Sequence, residues 1–336
     1  MHYRNLFIYN SSFANAHELH DLILATSVLE IVVLALSYIG YSYLFILLIF
    51  VRTIHLNAQI LFYNFGGQYF FSMISRIILI LFSLGMVENE DLLYYAKVIR
   101  TTSTFNAFYI TPTFIVERCF ATFFLDNYEN QTRLWVPAII LITFWPFVIV
   151  SSLSYMHDLI AVEYHVLSFF FANFVAISCL SFLHNYNLKM HSKSLVDRPK
   201  AQEYHLSERF QIAENIRLCV LLKRILLVVM VFNTALTSAL MFDTLNLGMY
   251  TNFVAYIFFN MLNAVYAIVI PIVAHEYIPE WKRFRQDLIR RICRREKNDI
   301  QPLSTTGMKM IYHDPKKEAD IYFDMLNSHL VHKPKV

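Results

Sequence analysis

Residues 220–242 read VLLKRILLVVMVFNTALTSALMF. Beyond Lys223 and Arg224 the run carries no charge, and its Leu, Val, Ile and Met side chains fall on every side of a helical wheel. Crossing the roughly 30 Å hydrocarbon core of a bilayer takes about 20 such residues. A helix that is apolar all round, and too long for a strand, belongs in lipid. Working outward, six more stretches have the same character, at about 24–51, 57–86, 99–123, 135–156, 165–186 and 250–274. The expected fold is therefore an all-α membrane protein, a seven-transmembrane helix bundle over 24–274. Residues 1–23 precede it and a tail, 275–336, follows.

Composition supports this and excludes other classes. The chain has 336 residues, of which 57% are hydrophobic and 16% charged, with 30 Phe and 21 Tyr. Soluble domains run at about 45–50% and 25%. An ordinary cytosolic enzyme could not bury so much apolar surface, and a disordered chain would not contain it. The net charge of +3 is too small to point to nucleic acid. Four cysteines, Cys119, Cys179, Cys219 and Cys293, make no disulfide framework for this length. No zinc-protease, phosphate-loop or nucleophile-elbow pattern occurs, so neither an enzyme nor a cofactor is expected. The seventh stretch has no Lys to carry a retinal Schiff base. His157, Asp158, Glu163 and His165 cluster in one short segment, which reads as a solvated loop or a metal site.

Orientation follows from the cationic side chains, which cytoplasmic segments retain. With the N-terminus outside, only Arg4, Lys97 and Arg100 of the 28 Lys and Arg lie in outer segments, and Arg76 alone lies within a span. The rest gather on the inner side. Residues 1–23 are then extracellular, the C-terminus is cytoplasmic, and the sequon Asn10-Ser11-Ser12 falls where it can be glycosylated.

Ionisable groups within the bilayer are costly and mark function or structure. Glu117-Arg118, near the inner end of the third span, reads either as a switch that meets a cytoplasmic partner or as two side chains snorkelling to water. Lys223-Arg224 reads as plain anchoring at the inner side, or as facing the third helix across a cytoplasmic cleft. Glu30 and Arg76 lie at similar depth on consecutive spans. They form a buried ion pair, or Arg76 meets an anionic ligand group. Asn260, Asn263 and Tyr266 make a polar stripe on the seventh span and Pro271 a bend, which is either interhelical glue or a hinge. Pro112 and Pro146 have the same bending capacity. Aromatic residues of the second, third, fifth and seventh spans, such as Phe105, Phe108, Tyr109 and Phe169, could line an apolar ligand cavity.

After the seventh span, residues 275–298 space Trp281, Phe284, Leu288, Ile289 and Ile292 at helical intervals among Lys and Arg. This predicts an amphipathic helix on the anionic inner leaflet, with membrane lipids as partners and Cys293 as a candidate palmitoylation site. Residues 299–336 read as a flexible polar tail.

Three segments carry a resemblance. Glu117-Arg118-Cys119-Phe120-Ala121-Thr122, followed by Tyr128-Glu129, is similar to the third-helix signature of nematode serpentine chemoreceptors. Tyr204-His205-Leu206-Ser207-Glu208-Arg209-Phe210-Gln211, with Glu214-Asn215, and Met73-Ile74-Ser75-Arg76 fit the same pattern. Together they resemble the Sra superfamily, and most of all serpentine receptor class epsilon, Sre. The resemblance implies a G-protein-coupled chemosensory receptor at the plasma membrane of sensory neurons. It also implies that Glu117 and Arg118 act as the acidic-Arg pair of rhodopsin-like receptors. Two departures from that wider pattern are clear: no Cys stands at the outer end of the third span, and Pro271 lies beyond Asn263-x-x-Tyr266 rather than beside the Asn.

The expected function is a receptor that binds a small-molecule ligand from outside and signals through a heterotrimeric G protein, with the loop 187–219 in the contact. The alternative is a ligand-gated channel or transporter. Against it stands the scarcity of ionisable groups that could form a path.

Overall fold

The computed structural model describes residues 20–51, 54–124, 134–196, 206–241 and 248–292. Asn10, Cys293 and the polar stretch 299–336 lie outside the described residues. The described residues form eight helices: α1 His20–Phe50, α2 Leu56–Ser83, α3 Glu90–Phe123, α4 Trp135–Met156, α5 Val162–Val196, α6 Leu206–Met241, α7 Met249–Tyr277 and α8 Pro279–Ile292. All of these except α3 and the short α8 are long and apolar enough to cross a membrane. In a bilayer the backbone must satisfy itself internally, and a helix does so with its own i→i−4 ladder.

The helices alternate in direction. Taking the end where α1 begins as the upper end, Glu30 of α1 meets Arg76 late in α2, and Ser72 of α2 meets Arg100 early in α3. Phe120 of α3 and Trp135 of α4 pack at the lower end, with ring centroids 5.9 Å apart. His165 of α5 meets Ser151 of α4 at the upper end, and Asn215 of α6 meets Arg118 at the lower. Seven alternating helices leave the end of α7 opposite the start of α1.

Packing explains why α3 is the least apolar-looking of the seven. It contacts α2, α4, α5 and α6, so most of its sides meet protein rather than lipid. Polar residues such as Asn106, Thr111 and Thr113 are buried there. Conversely, Leu29, Val32, Ile39, Ile142, Phe171 and Phe174 are exposed on the outer surface of the bundle. That inversion is what a lipid solvent selects. Pro112, inside α3, has no N–H to offer the carbonyl of Phe108. Asn173 of α5 supplies the donor instead, Nδ2 to Phe108 O at 2.9 Å. Asn233 of α6 donates to the neighbouring Ala107 O at 3.1 Å. Two asparagines thus fasten α5 and α6 to the middle of α3.

Several boundaries differ from the sequence expectation. The α3 helix starts at Glu90, not near 99, because Asn89 caps it, its side chain accepting from Leu92 N at 3.0 Å, and acidic residues fill its first turn. The α2 helix stops at Ser83, and the chain turns through Gly85, whose φ of 72° suits glycine. The segment 187–219 is not a loop over most of its length. The α5 helix runs on to Val196 and α6 begins at Leu206. Lys, Met, Glu and Arg there are good helix formers, so the ladder continues where the apolar run has ended. After α7, Ile278 is extended, as a residue before proline prefers, and Pro279 starts α8. Trp281 in its first turn is fully buried. Further along α8, Asp287 and Arg290 lie 3.7 Å apart, and Leu288 and Ile289 are exposed.

Candidate functional site

At the lower end of α3, Glu117 and Arg118 are both buried. The Arg118 guanidinium donates from Nε to Glu117 Oε2 at 2.6 Å and from Nη2 to Glu117 Oε1. Its remaining nitrogen, Nη1, reaches across to α6 and donates to Asn215 Oδ1 at 3.2 Å. Asn215 returns a bond from Nδ2 to Ala121 O, also at 3.2 Å. A carboxylate thus orients an arginine that ties α3 to α6. Asn187 of α5 adds a bond to Thr122 Oγ1 at 3.3 Å.

Neither Lys223 nor Arg224 takes part in this tie. Both are exposed, and Arg224 lies over the Tyr277 ring at 5.1 Å. The residue that faces Arg118 is Asn215, two turns closer to the start of α6. The signal that could have found it is the helical continuation of α6 below the apolar run. A second tie at this end joins Arg217 of α6 to Glu280 of α8, at 2.9 Å, in a partly exposed position.

At the upper end, Arg76 is buried at 1% exposure and Glu30 at 4%. Arg76 donates from Nε and Nη2 to the two Glu30 carboxylate oxygens, at 2.6 and 2.7 Å. It also donates to the Tyr256 hydroxyl of α7 at 3.0 Å, and its guanidinium lies over the Tyr256 ring. A small cleft between α1 and α7 ends on this cluster and is lined also by Ser27 and Asn260. Close by, Arg100, which the charge pattern assigns to an outer segment, is instead buried within α3 against Ser72.

On α7, Asn260 turns its amide to the Tyr256 carbonyl of its own helix, at 2.9 Å. Asn263 is buried, with no partner for Nδ2 among the described residues. Tyr266 is fully buried, stacked on Phe232 of α6 and edge-on to Tyr69 of α2. Pro271 packs against Gly40 of α1, where a Cβ would meet the proline ring at 3.6 Å. Phe105, Phe108, Tyr109 and Phe169 are buried in one cluster with Tyr155 and His165. Phe170, Phe171 and Phe174 instead face outward beside an open groove of about 450 Å³ between α5 and α6. His165 sits among Ser151, Ser154 and this cluster, and no group of three metal ligands occurs among the described residues.

The arrangement is thus a polar tie between helices at one end and a buried charge cluster at the other. Comparison with known proteins gives the family. The profile of a family described as Sre G protein-coupled chemoreceptor matches residues 87–330. Serpentine receptor class epsilon-8 of Caenorhabditis elegans is 37% identical over 322 residues, covering 95% of this chain and 94% of its own length. Serpentine receptor class epsilon-13 of the same organism is 29% identical over 277 residues, 76% of this chain and 75% of its own. The chain is a multi-pass membrane protein that belongs to the Sre family of serpentine chemoreceptors.

Proposed function

We propose that the chain is a seven-span chemosensory receptor of the plasma membrane, acting in sensory neurons, that binds a small molecule at its upper end and engages a heterotrimeric G protein at its lower end. The observation that carries this reading is the Glu117–Arg118–Asn215 tie. It closes the lower ends of α3 and α6 with a charged group that becomes available when the tie opens. A ligand that prefers the open packing shifts the population toward it by its differential affinity. The released Arg118, with the helical segments on either side of residues 197–205, then meets the G protein.

Counting α3 as a span, which brings the number to seven, rests on its central position and on the pairing of its buried Glu117 and Arg118, which lowers the cost of crossing lipid. Placing the upper end outside rests on the distribution of Lys and Arg along the sequence, of which only Arg4, Lys97 and Arg100 fall in the segments assigned to that side. Lys223 and Arg224 fit the role of anchors at the inner side. Pro271, packed on Gly40, fits a hinge.

The test is nucleotide exchange on a G protein co-expressed with the chain, in membranes challenged with volatile and water-soluble compounds. The proposal expects stimulated exchange that Arg118→Ala abolishes. Ionic current without any G protein, and no stimulated exchange, would instead establish a channel.

A further inference from the structure

Among the described residues three arginines are almost completely buried: Arg76 at 1%, Arg118 at 2% and Arg100 at 3% exposure. In two of them the same edge of the guanidinium, Nε with Nη2, grips a carboxylate. Arg76 grips Glu30, and Arg118 grips Glu117. Arg100 differs. Its Nη1 donates to Ser72 Oγ at 2.7 Å and weakly to Ser72 O at 3.5 Å. Its Nε and Nη2 have no hydrogen-bond partner among the described residues. The two donors on that edge are parallel and fixed, which is the geometry that matches the two oxygens of a carboxylate.

The charges around Arg100 point the same way. Arg76, Glu30, Tyr69 and Tyr256 lie within its electrostatic reach. Glu30 is already engaged by Arg76, so the cluster carries one more positive than negative charge. Burying an uncompensated cation is unfavourable, and such costs are retained where a site needs the group. Below Arg100, two buried amides add to the picture. Gln68 of α2 and Asn106 of α3 have no partner for either side-chain polar atom among the described residues. Because Ser72 faces Arg100 across antiparallel helices, Gln68 and Asn106 lie at nearly one level, about 6–9 Å further down.

Resting on the reading of the chain as a ligand-binding receptor, we propose that Arg100 anchors the carboxylate of a small organic acid, whose body runs down between α2 and α3 toward Gln68 and Asn106. The ligand class is thus monocarboxylic acids rather than neutral volatile compounds.

The test is thermal unfolding of the purified full-length chain in detergent, without G protein. The probes are acetate, hexanoate, octanoate and benzoate, each beside its methyl ester. The expected result is a rise of several degrees with one or more acids and none with the matching ester. Arg100→Gln should lose that rise, while its ligand-free form unfolds at a higher temperature than the parent because an unpaired buried cation is gone. Should Arg100→Gln fail to fold, Arg100→Lys, which keeps the charge but not the fork, should at least halve the rise. Acid and ester acting equally, a rise that survives in Arg100→Gln or undiminished in Arg100→Lys, or no acid stabilising the parent chain would each overturn the assignment. A chain that binds acids yet never stimulates nucleotide exchange overturns the coupling proposed above and leaves this site standing. Exchange stimulated only by neutral compounds does the reverse.

Discussion

Arg118 of α3 donates to the side-chain oxygen of Asn215 on α6 at 3.2 Å, and Asn215 donates back to Ala121 of α3 at the same distance. This reciprocal pair is the polar link that holds the lower ends of the two helices together, and it sets what perturbations of that end should do.

Asn215→Ala removes both bonds and leaves the Glu117–Arg118 pair in place. A hydrogen bond to a charged group contributes about 1.5–3 kcal/mol, and about 1.4 kcal/mol is a tenfold change in population. Ligand-free nucleotide exchange should therefore rise about tenfold or more. Exchange at or below the parent rate would show that the tie does not restrain the active packing.

Glu280→Ala supplies the contrast. Its partner Arg217 is 43% exposed at the side chain, and exposed pairs are worth about 0.2–1 kcal/mol. In the same exchange assay its effect should be several times smaller than that of Asn215→Ala. An equal effect would move the restraint from α3 to the start of α8.

Arg76→Gln leaves the Glu30 carboxylate buried without its partner. Breaking such a pair costs about 3–5 kcal/mol, and delivery to the cell surface should fall sharply, as read by surface biotinylation. Combining it with Glu30→Gln removes the stranded charge and should recover most of the loss. A double variant as poorly delivered as Arg76→Gln would show that Arg76 matters for something other than the pair.

Asn173→Leu orphans the Phe108 carbonyl that Pro112 cannot serve. An unsatisfied buried group costs about 1–3 kcal/mol, and the unfolding temperature of the purified chain should drop. Adding Pro112→Ala restores a backbone N–H in α3 and should recover part of the drop. A double variant no better than Asn173→Leu would separate the asparagine from the proline.

Lipid-facing helices are easy to read in a sequence because nothing but their own apolar side chains is needed to specify them. The fourth helix, Trp135–Met156, has the bounds that its apolar run marks. The third is harder. Buried on most sides among four neighbours, it needs little lipid-compatible surface, so Arg100 looks like a loop residue beside Lys97 although the bundle encloses it. The lower parts of α5 and α6 are harder still, because once a helix leaves the membrane its ladder continues without an apolar signature. That is why Asn215 was hidden while Glu117 and Arg118 were visible. Opposite charges at matching depth on successive helices, as in Glu30 and Arg76, are a signal that a sequence does carry. The partner of a lone polar side chain, such as Asn173 for the Phe108 carbonyl, is set by helix rotation and emerges only with packing.

The separation of the lower ends of α3 and α6 tests the account most directly. With Cys119, Cys179, Cys219 and Cys293 replaced by Ala, spin labels at Phe123→Cys and Ala213→Cys report that distance by pulsed electron resonance. Addition of nucleotide-free G protein should lengthen it by several ångströms. Asn215→Ala should shift part of the population to the longer distance on its own. An unchanged distance in a sample that catalyses nucleotide exchange would contradict the opening on which the signalling mechanism depends.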